Sequence, residues 1–331
     1  LSVASGATLD VNGLNVTVPS LGGDGTALSN AGAGTLTVST TGSVLVSALL
    51  QDGSGGLALT KAGAGTARLT NTNIYTGATT VTAGTLQVGD AGTTGSLGTA
   101  AVVNDATLAF NRTDAVTIAN NVSGTGSVVQ AGTGTTSITG DLTHTGGTTI
   151  SAGTLSIGTG GTTGSVVGDI VDNGTLQFNR SDAIGVSSII SGSGAISQVG
   201  AGTTTLSGTN TFTGGVTVSA GVLSTSAAAN LGSGSGAVAL SNGAMLDVTG
   251  SYTIGRGISV GTGGGTVDVD PTFTLTRNGG FNGGNTLTKT GDGELRFQGY
   301  GGGTFSGAIV IDGGTVRFAG GAFNSNLGIS S

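Results

Sequence analysis

Residues 63–89 have the sequence GAGTARLTNTNIYTGATTVTAGTLQVG, in which apolar and polar residues alternate in three short runs, at 67–70, 79–82 and 85–88. Gly-Ala-Gly, Thr-Gly and Ala-Gly sequences separate the runs, as turn residues separate β-strands. The same pattern returns in three places, at 132–158, at 200–223 and, with a looser middle, at 291–318. A repeated unit of strands and corners is typical of a solenoid.

The copies recur at a regular distance. Gly84, in the Ala-Gly sequence of the first copy, is followed by its equivalents Gly153 and Gly221 after 69 and 68 residues. A second motif, ATLAFNRTDA at 106–115, returns 68 residues later as GTLQFNRSDA at 174–183. Dividing this period into three coils predicts about 23 residues per coil and about 14–15 coils in the chain.

The remaining segments fit the same solenoid less closely. The step from Gly221 to Gly314 is 93 residues, which places an additional coil within 239–276. Near the beginning of the chain, the continuous apolar run at 43–50 predicts a buried strand. We therefore predict one continuous β-helix over residues 1–331, in three parts: degenerate coils at 1–55, clear repeats at 56–318 and a truncated terminal coil at 319–331.

The composition supports an all-β chain. Glycine occupies 69 of 331 positions and only 8% of the residues are charged, but the mean hydropathy of +0.29 is too high for an ordinary disordered segment. Val, Leu, Ile and Thr are frequent in short alternating runs, and no window of about 11 residues has a helical period. The sequence therefore predicts an all-β solenoid with essentially no helix.

Charge and residue usage argue against several classes of function. A net charge of −7 with scattered basic residues disfavours binding to nucleic acid or anionic lipid. The absence of cysteine removes disulfide and zinc frameworks, and a single histidine gives nucleophilic catalysis no support. No apolar run reaches the ~18 residues of a membrane-spanning helix, and no signal peptide is recognised, so we interpret the chain as a mature, exported segment. We predict no catalytic residue, no metal and no cofactor.

Alternation assigns side chains to the inside or the outside of each coil. Leu, Val and Ile are expected inside and Thr, Ser, Gln and Asn outside, where threonine and asparagine can form ladders along successive coils. Glycines at the corners are expected to supply backbone conformations with positive φ. The repeat positions predicted on this basis are Gly63, Gly65, Gly77, Gly84, Gly132, Gly134, Gly146, Gly153, Gly200, Gly202, Gly214, Gly221, Gly291, Gly293, Gly307 and Gly314.

The detailed sequence of the copies resembles a known bacterial repeat. The first copy is similar to the passenger-associated repeat of autotransporters in three segments, LTKAGAGT at 59–66, NIYTGATTV at 73–81 and AGTL at 83–86. TLTKTGDG at 286–293 is a second match to the opening of this repeat, and FTGG at 212–215 matches its middle. The Leu-x-Phe-Asn-Arg-x-Asp blocks that begin at Leu108 and Leu176 resemble the linking coils of the same passengers.

The resemblance implies a right-handed parallel β-helix, secreted through a C-terminal outer-membrane β-barrel and displayed on the surface of a Gram-negative bacterium. It also implies a structural stalk or adhesive segment that acts in adhesion or cell–cell aggregation. The partner would be a host surface, a neighbouring cell or another copy of the chain. Two alternatives stay open, a self-assembling extracellular filament or surface-layer subunit and a polysaccharide-active β-helix enzyme.

Two Arg-x-Asp sequences are candidates for a binding surface. Arg112 with Asp114, and Arg180 with Asp182, would each share one face of a strand because the partners are two residues apart. Repeated along the solenoid, the two pairs could form a stripe that binds a ligand. The more ordinary interpretation is a recurrent ion pair at the edge of a coil, since exposed ion pairs contribute little free energy.

Acidic residues offer two further hypotheses. Asp268 and Asp270 lie two apart, roughly 6–7 Å along a strand, and paired carboxylates could hydrolyse a glycoside. The nearest basic residues in sequence that could hold a sugar are Arg256 and Arg277. Calcium binding is the other hypothesis, although it requires six or more oxygen ligands, and its candidates are Asp169, Asp172, Asp268 and Asp270. We favour a role for these residues in turns or at strand edges.

His144 is the one histidine, and it occupies an aromatic position of the repeat. Alignment of the copies places it where the others have Tyr75, Phe212 and, less regularly, Phe305, each directly before Thr-Gly or Ser-Gly. We therefore interpret His144 as a residue that fills a corner. Pro271 cannot donate a ladder hydrogen bond and is expected to end a strand or mark a bulge.

Overall fold

Parallel strands stacked as a β-solenoid of about 15 turns make up the fold. The structure is a computed structural model that describes residues 1–278, 281–298, 304–319 and 328–330. Over this part of the chain the helical content is a single 3₁₀ turn, Ala228–Leu231. The predicted fold class is therefore confirmed. No helix among these residues is long and apolar enough to cross a membrane.

The chain forms two compact units, which are described separately. Unit 1 contains Leu1–Ile157 and Thr163–Val171, and unit 2 contains Gly158–Thr162 and Asp172–Ser331. The strand Ile170–Asp172 begins in the first unit and ends in the second. The predicted single continuous β-helix over residues 1–331, with its internal boundaries at residues 55 and 318, stays a prediction.

Unit 1 contains four parallel sheets, here named A to D. Sheet A consists of Thr8–Asp10, Thr26–Leu28 and Leu49–Leu50. Sheet B consists of Asn15–Val18, Gly34–Ser39, Leu57–Ala62, Thr79–Val81, Val102–Asn104, Val122–Ser123, Asp141–Leu142 and Ser165–Val166. Sheet C consists of Ser43–Val46, Thr66–Leu69, Thr85–Gly92, Thr107–Arg112, Ser127–Gln130 and Thr148–Ile150. Sheet D consists of Ala115–Ile118, Thr135–Ile138 and Thr154–Ile157.

Unit 2 contains three parallel sheets, E to G, and the short strand Ile190–Ser191. Sheet E consists of Thr175–Phe178, Ala195–Gln198, Val216–Val218, Val238–Leu240, Ile258–Val260 and Phe281–Asn282. Sheet F consists of Ile184–Val186, Thr203–Leu206, Val222–Thr225, Met245–Val248, Gly265–Val269, Leu287–Thr290, Ala308–Ile311 and Gly328–Ser330. Sheet G consists of Tyr252–Ile254, Thr274–Asn278, Glu294–Gln298 and Thr315–Ala319.

Apolar residues stack in columns inside the solenoid because successive strands pair in register. In sheet C, Leu86 pairs with Leu108, and Leu108 pairs with Val128. None of these three residues is more than 1% exposed. Alternation along each strand thus directs one face to the core, as the sequence predicts.

The repeats do not return to the same corner after each period. We number the copies beginning at Gly63, Gly132, Gly200 and Gly291 as repeats 1 to 4. Repeat 1 connects sheet B to sheet C, whereas repeat 2 connects sheet C to sheet D. From the corner of repeat 1 to that of repeat 2, the strands of sheet B start at positions 57, 79, 102 and 122, so successive turns contain 22, 23 and 20 residues. The period is therefore three turns plus one face, and dividing it into three coils was wrong.

Unit 2 follows the same rule with one more turn. Repeat 3 connects sheet E to sheet F, and repeat 4 connects sheet F to sheet G. Between them sheet F adds both Met245–Val248 and Gly265–Val269, so the additional turn expected within 239–276 is present. The second of these strands ends two residues before Pro271, as expected.

The apolar run at 43–50 is not the single strand that the sequence predicts. Ser43–Val46 belongs to sheet C and Leu49–Leu50 to sheet A. Val46 and Leu50 are fully buried, whereas Leu45 is 44% exposed. The run looks continuous in sequence because the inward residues of sheet C are followed closely by those of sheet A. The corner between the two strands lies inside the run.

Leu108→Ala is expected to lower the free energy of unfolding by about 2–5 kcal/mol, because it removes a buried side chain from a column that cannot close over the cavity. Val103→Ala is the control, since Val103 is 40% exposed on the neighbouring sheet B. Its effect should stay within about 0.5 kcal/mol. Urea unfolding of the two variants measures the difference, and equal losses would contradict the assignment of inside and outside.

Candidate functional site

Three glycines of each repeat stack at one corner. In repeat 1, a Cβ atom on Gly84 would lie 2.3 Å from the carbonyl oxygen of Gly65 and 2.5 Å from that of Gly63. The N–H of Thr85 donates to the Gly65 oxygen at 3.0 Å. The equivalent stacks place Gly153 on Gly132 and Gly134, Gly221 on Gly200 and Gly202, and Gly314 on Gly291 and Gly293. The Ala-Gly sequence of the repeat therefore belongs to the turn that follows its Gly-x-Gly sequence.

Positive φ does not explain most of the predicted glycines. Six have it: Gly63, Gly84, Gly153, Gly221, Gly291 and Gly314. At the others a Cβ would collide with the backbone of the preceding turn, as at Gly65, where it would lie 2.0 Å from the Gly42 oxygen. Their requirement for glycine thus comes from close approach of two backbones. These positions are Gly65, Gly77, Gly132, Gly134, Gly146, Gly200, Gly202, Gly214, Gly293 and Gly307.

A buried lysine holds the corner of repeat 1 from the inside. Lys61 is fully buried, and its Nζ donates to the carbonyl oxygens of Ala62 and Gly63, both at 2.7 Å. A third bond, at 3.0 Å, reaches the oxygen of Ala83 in the next turn. The three ammonium protons therefore each have an acceptor. Burial lowers the pKa of Lys61.

The other repeats have an equivalent buried side chain, and we call the four residues Lys61, Gln130, Gln198 and Lys289 the corner clamps. Each lies two residues before a Gly-x-Gly sequence and is at most 1% exposed. Nζ of Lys289 donates to the backbone carbonyl oxygens of Thr290, Gly291 and Gly313. Nε2 of Gln130 donates to the carbonyl oxygen of Gly132. Nε2 of Gln198 donates to the carbonyl oxygens of Gly200 and Gly202.

Sequence reasoning missed the corner clamps, although a signal was present. A lysine or glutamine recurs two positions before the Gly-x-Gly that opens each of the four repeats, and in repeat 1 it has the inward parity of Leu59. Burial lowers the pKa of Lys289, and the negative charges of Asp268 and Asp292 partly offset this decrease. The outward expectation for glutamine was therefore wrong for Gln130 and Gln198, because the corner offers carbonyl acceptors inside the solenoid.

Gly65→Ala is expected to lower the free energy of unfolding by about 1–3 kcal/mol, because the new methyl group has no space beside the Gly42 oxygen. Gly42→Ala is the matched control, since a Cβ at Gly42 meets nothing within 4 Å. Denaturant midpoints of both variants test the explanation. If Gly42→Ala were as destabilising as Gly65→Ala, the loss would not come from the close approach.

Arg112 forms an ion pair that also holds a surface loop. Its Nε donates to Asp114 at 2.8 Å and its Nη2 at 2.6 Å, and these bonds lower the pKa of Asp114. The same guanidinium donates to the carbonyl oxygens of Gly95, at 2.7 Å, and Thr93. The arginine side chain is only 13% exposed. Its donors are therefore used inside the protein, which favours the ordinary interpretation over a ligand-binding stripe.

Arg180 repeats this arrangement in unit 2. It donates to Asp182 through Nε at 2.8 Å and through Nη2 at 2.7 Å, which lowers the pKa of Asp182. The arginine side chain is 10% exposed. Each Arg-x-Asp sequence thus forms a bidentate pair at a corner of its own unit.

His144 occupies the aromatic position that alignment assigns to it. The residue is fully buried, and its Nε2 lies 3.0 Å from the Gly147 oxygen and 3.2 Å from Oγ1 of Thr148. Tyr75 uses its hydroxyl in the same way, 2.7 Å from Oγ1 of Thr79. Burial lowers the pKa of His144. Both threonines are buried rather than outside, because they provide partners for the polar ring atoms.

Asp268 and Asp270 lie together with a third acid, Asp247. One carboxylate oxygen of each lies within 4.8 Å of the others, and this is the one such group of His, Cys, Asp or Glu in the described part of the chain. Burial raises the pKa of Asp247, and the charges of Asp270 and Asp268 raise it further. Asp169 and Asp172, the other calcium candidates, are not members of the group.

The basic residues considered for sugar binding contact the backbone instead. Arg256 donates from Nη1 to the oxygens of Gly214 and Gly236, at 2.6 and 3.0 Å, and its guanidinium lies 5.0 Å from the ring centre of Phe212. Arg277 donates to the Asn278 oxygen. Burial lowers the pKa of both arginines. This geometry does not favour the hypothesis of glycoside hydrolysis.

Asp172 is a buried acid. It is fully buried, its Oδ1 accepts from the N–H of Gly174 at 3.0 Å, and its Oδ2 has no partner. Burial raises the pKa of Asp172 to about 6. The equivalent residue 68 positions earlier is Asn104, whose Nδ2 donates to the Ser127 oxygen at 2.8 Å. An amide can donate at this position, a protonated carboxyl can also donate, and a carboxylate cannot.

Asp172→Asn is expected to stabilise the protein at neutral pH. Because the folded-state pKa is raised from 3.8 to about 6, the stability linked to this group is complete below pH ~4 and is lost as the pH rises to ~6. The loss is about 2–3 kcal/mol. Urea unfolding between pH 4 and 8 should show that the variant becomes more stable relative to the parent as the pH rises to ~6. Above that pH the difference in the free energy of unfolding should stay constant.

The reciprocal variant Asn104→Asp is the control for this pH dependence. It creates the same buried acid in unit 1, so its stability should fall relative to the parent as the pH rises through the same range. A constant difference between parent and Asp172→Asn at pH 4 and pH 7 would show that Asp172 does not titrate in the folded state.

Outward hydroxyl groups form two ladders in unit 1. In-register pairing in sheet B aligns Thr17, Thr37, Thr60 and Thr80, followed by Val103 and Ser123. In sheet C it aligns Ser43, Thr66, Thr85, Thr107 and Ser127. All these residues are half-buried or exposed, and none is charged. Threonine ladders of the predicted kind are thus present on two faces.

Comparison with known proteins identifies the repeats. The passenger-associated transport repeat matches in four places, at 59–88, 128–157, 196–224 and 287–318, which confirms the four predicted copies. Adhesin BmaC autotransporter of Brucella suis biovar 1 (strain 1330) is 48% identical over 101 residues, or 30% of this chain. The chain spans 3% of the length of this relative. No solved structure matches the chain.

Proposed function

We propose that this chain, which belongs to the passenger domains of autotransporters, acts as a stalk and adhesive segment on the surface of a Gram-negative cell. The adhesive part of the proposal is supported by the 48% identity to an autotransporter named as an adhesin. The export part is supported by the four transport repeats, and it includes a C-terminal outer-membrane barrel in the full-length protein.

The sheet B ladder is the observation that carries the adhesive proposal. Thr17, Thr37, Thr60 and Thr80 repeat one donor and acceptor on each turn, at the strand spacing of about 4.8 Å. A partner with a repeated polar surface, such as a host cell coat or a second copy of this face, can form many weak bonds with it at once. Such multivalent contacts give high avidity without any strong single contact.

We also propose a non-enzymatic role, which is supported by the chemistry of the ladder and of two buried arginines. Among the described residues, the ladder side chains carry no charge, and Arg256 and Arg277 bind backbone oxygens. These features supply surface contacts but no acid and base pair with a substrate-holding cation. No observation specifically supports the filament alternative.

The experiment displays the full-length passenger on bacteria and measures cell settling and attachment to cultured epithelial cells. Replacing Thr37, Thr60 and Thr80 by valine removes three hydroxyl groups while keeping the β-branched shape. We expect a loss of settling or attachment of about tenfold, with the amount of displayed protein unchanged on antibody staining.

The matched control replaces Thr66, Thr85 and Thr107 of the sheet C ladder by valine. If only the sheet B variant loses adhesion, that face carries the activity. Wild-type adhesion by both variants at equal display would contradict the hydroxyl-ladder proposal.

A further inference from the structure

The corner clamps are matched to a second inward residue six positions later. Oε1 of Gln198 accepts a hydrogen bond from Oγ1 of Thr204 at 2.7 Å, and Thr204 is 1% exposed. Gln130 has Thr136 at the same position, also 1% exposed, but Oε1 of Gln130 has no hydrogen-bond partner in the structure, so the bond is formed in repeat 3 and only the residue pair recurs in repeat 2. The two lysine repeats have fully buried apolar residues there instead: Ala67 and Leu295.

The chemistry of the two clamp types explains this difference. A lysine ammonium has three donors and no acceptor, and Lys61 uses its donors on three carbonyl oxygens. A glutamine amide has an oxygen as well, which the carbonyl-lined corner cannot satisfy. A buried acceptor without a donor lowers the stability of the folded state, so a nearby hydroxyl group that donates to the amide oxygen, as Thr204 does to Gln198, stabilises the glutamine type.

A second pair of inward positions shows the same matching. Tyr75 and His144 have polar ring atoms, and each has a buried threonine four residues later. The phenylalanines at the equivalent positions have no polar ring atom. The residues four positions after them are aliphatic: Val216 after Phe212 and Ile309 after Phe305.

We propose that a corner clamp and the residue six positions later form one unit, which can be exchanged between repeats only as a pair. Repeats 1 and 4 contain the lysine–apolar unit, and repeats 2 and 3 contain the glutamine–threonine unit. The lysine unit also ties its corner to the following turn through Ala83 in repeat 1, whereas the bonds of Gln198 stay within its own turn. The proposal concerns how the passenger repeats hold together and does not depend on their adhesive role.

The first test is a mutant cycle in repeat 1 of the whole chain, with Lys61→Gln, Ala67→Thr and the double variant. Lys61→Gln should lower the folding equilibrium constant at least tenfold, because its oxygen is buried without a donor. Adding Ala67→Thr should recover most of the loss. Additive effects of the two substitutions would overturn the proposal, since independent sites show no coupling.

The reciprocal cycle in repeat 3 uses Thr204→Val, which keeps the side-chain shape and removes only the hydroxyl. Thr204→Val should be at least tenfold less stable, and Gln198→Lys should restore stability in that background. Thr217→Val is the control, because Thr217 is exposed on sheet E, and its effect should be less than threefold. Because Thr204→Val removes only one hydroxyl group, this cycle tests the coupling of the pair even if Lys61→Gln does not fold.

Hydrogen exchange gives a local readout that general destabilisation would not reproduce. The amide of Thr85 donates to Gly65 in the clamped corner, and the amide of Thr154 donates to Gly134 in repeat 2, both at 3.0 Å. In Lys61→Gln the Thr85 amide should exchange at least tenfold faster, while the Thr154 amide keeps its rate. The double variant should restore protection at Thr85. Equal acceleration at both amides would contradict a local clamp.

Discussion

The close approach of one corner backbone to the next is the constraint on which the structure depends. Parallel strands on successive turns are held about 4.8 Å apart by their ladder bonds, and the corners must keep the same spacing. At Gly84 this leaves only 2.3 Å between a hypothetical Cβ and the oxygen of Gly65. Glycine is therefore required where corners stack, which accounts for its abundance and for the Gly-x-Gly and Ala-Gly signature of each repeat.

The narrow interior adds a second constraint, because a buried polar atom can reach only the groups of its own turn and of nearby turns. Lys61 meets three carbonyl oxygens, and Tyr75 meets Thr79. Asp172 has one oxygen without a partner, and burial raises its pKa accordingly. Thus polar residues are accommodated inside mainly in matched sets, and at Asp172 the missing partner goes together with a raised pKa.

The repeat motif and the hydroxyl ladder follow different periods. Repeats 1 and 2 use different corners of unit 1, so the motif does not build a continuous stripe on one face. The ladder from Thr17 to Thr80 instead follows from the in-register pairing of sheet B on every turn. The structural role and the proposed adhesive role therefore fall on separate residues, the first on the corners and the second on outward strand positions.

The sequence by itself determined the all-β solenoid, the four repeats, the additional turn and the aromatic position of His144. These follow from local alternation and from spacing, which are properties of the chain alone. Only the tertiary structure decided which sheets each corner connects, because the same corner sequence fits any pair of faces. It also decided that Lys61 lies inside, and that Asp247 joins Asp268 and Asp270. Strand parity is a signal for the inward direction of Lys61, but its third acceptor, Ala83, lies 22 residues away, and Asp247 lies 21 residues before Asp268. Both contacts depend on the length of the turn between them, which local sequence does not encode.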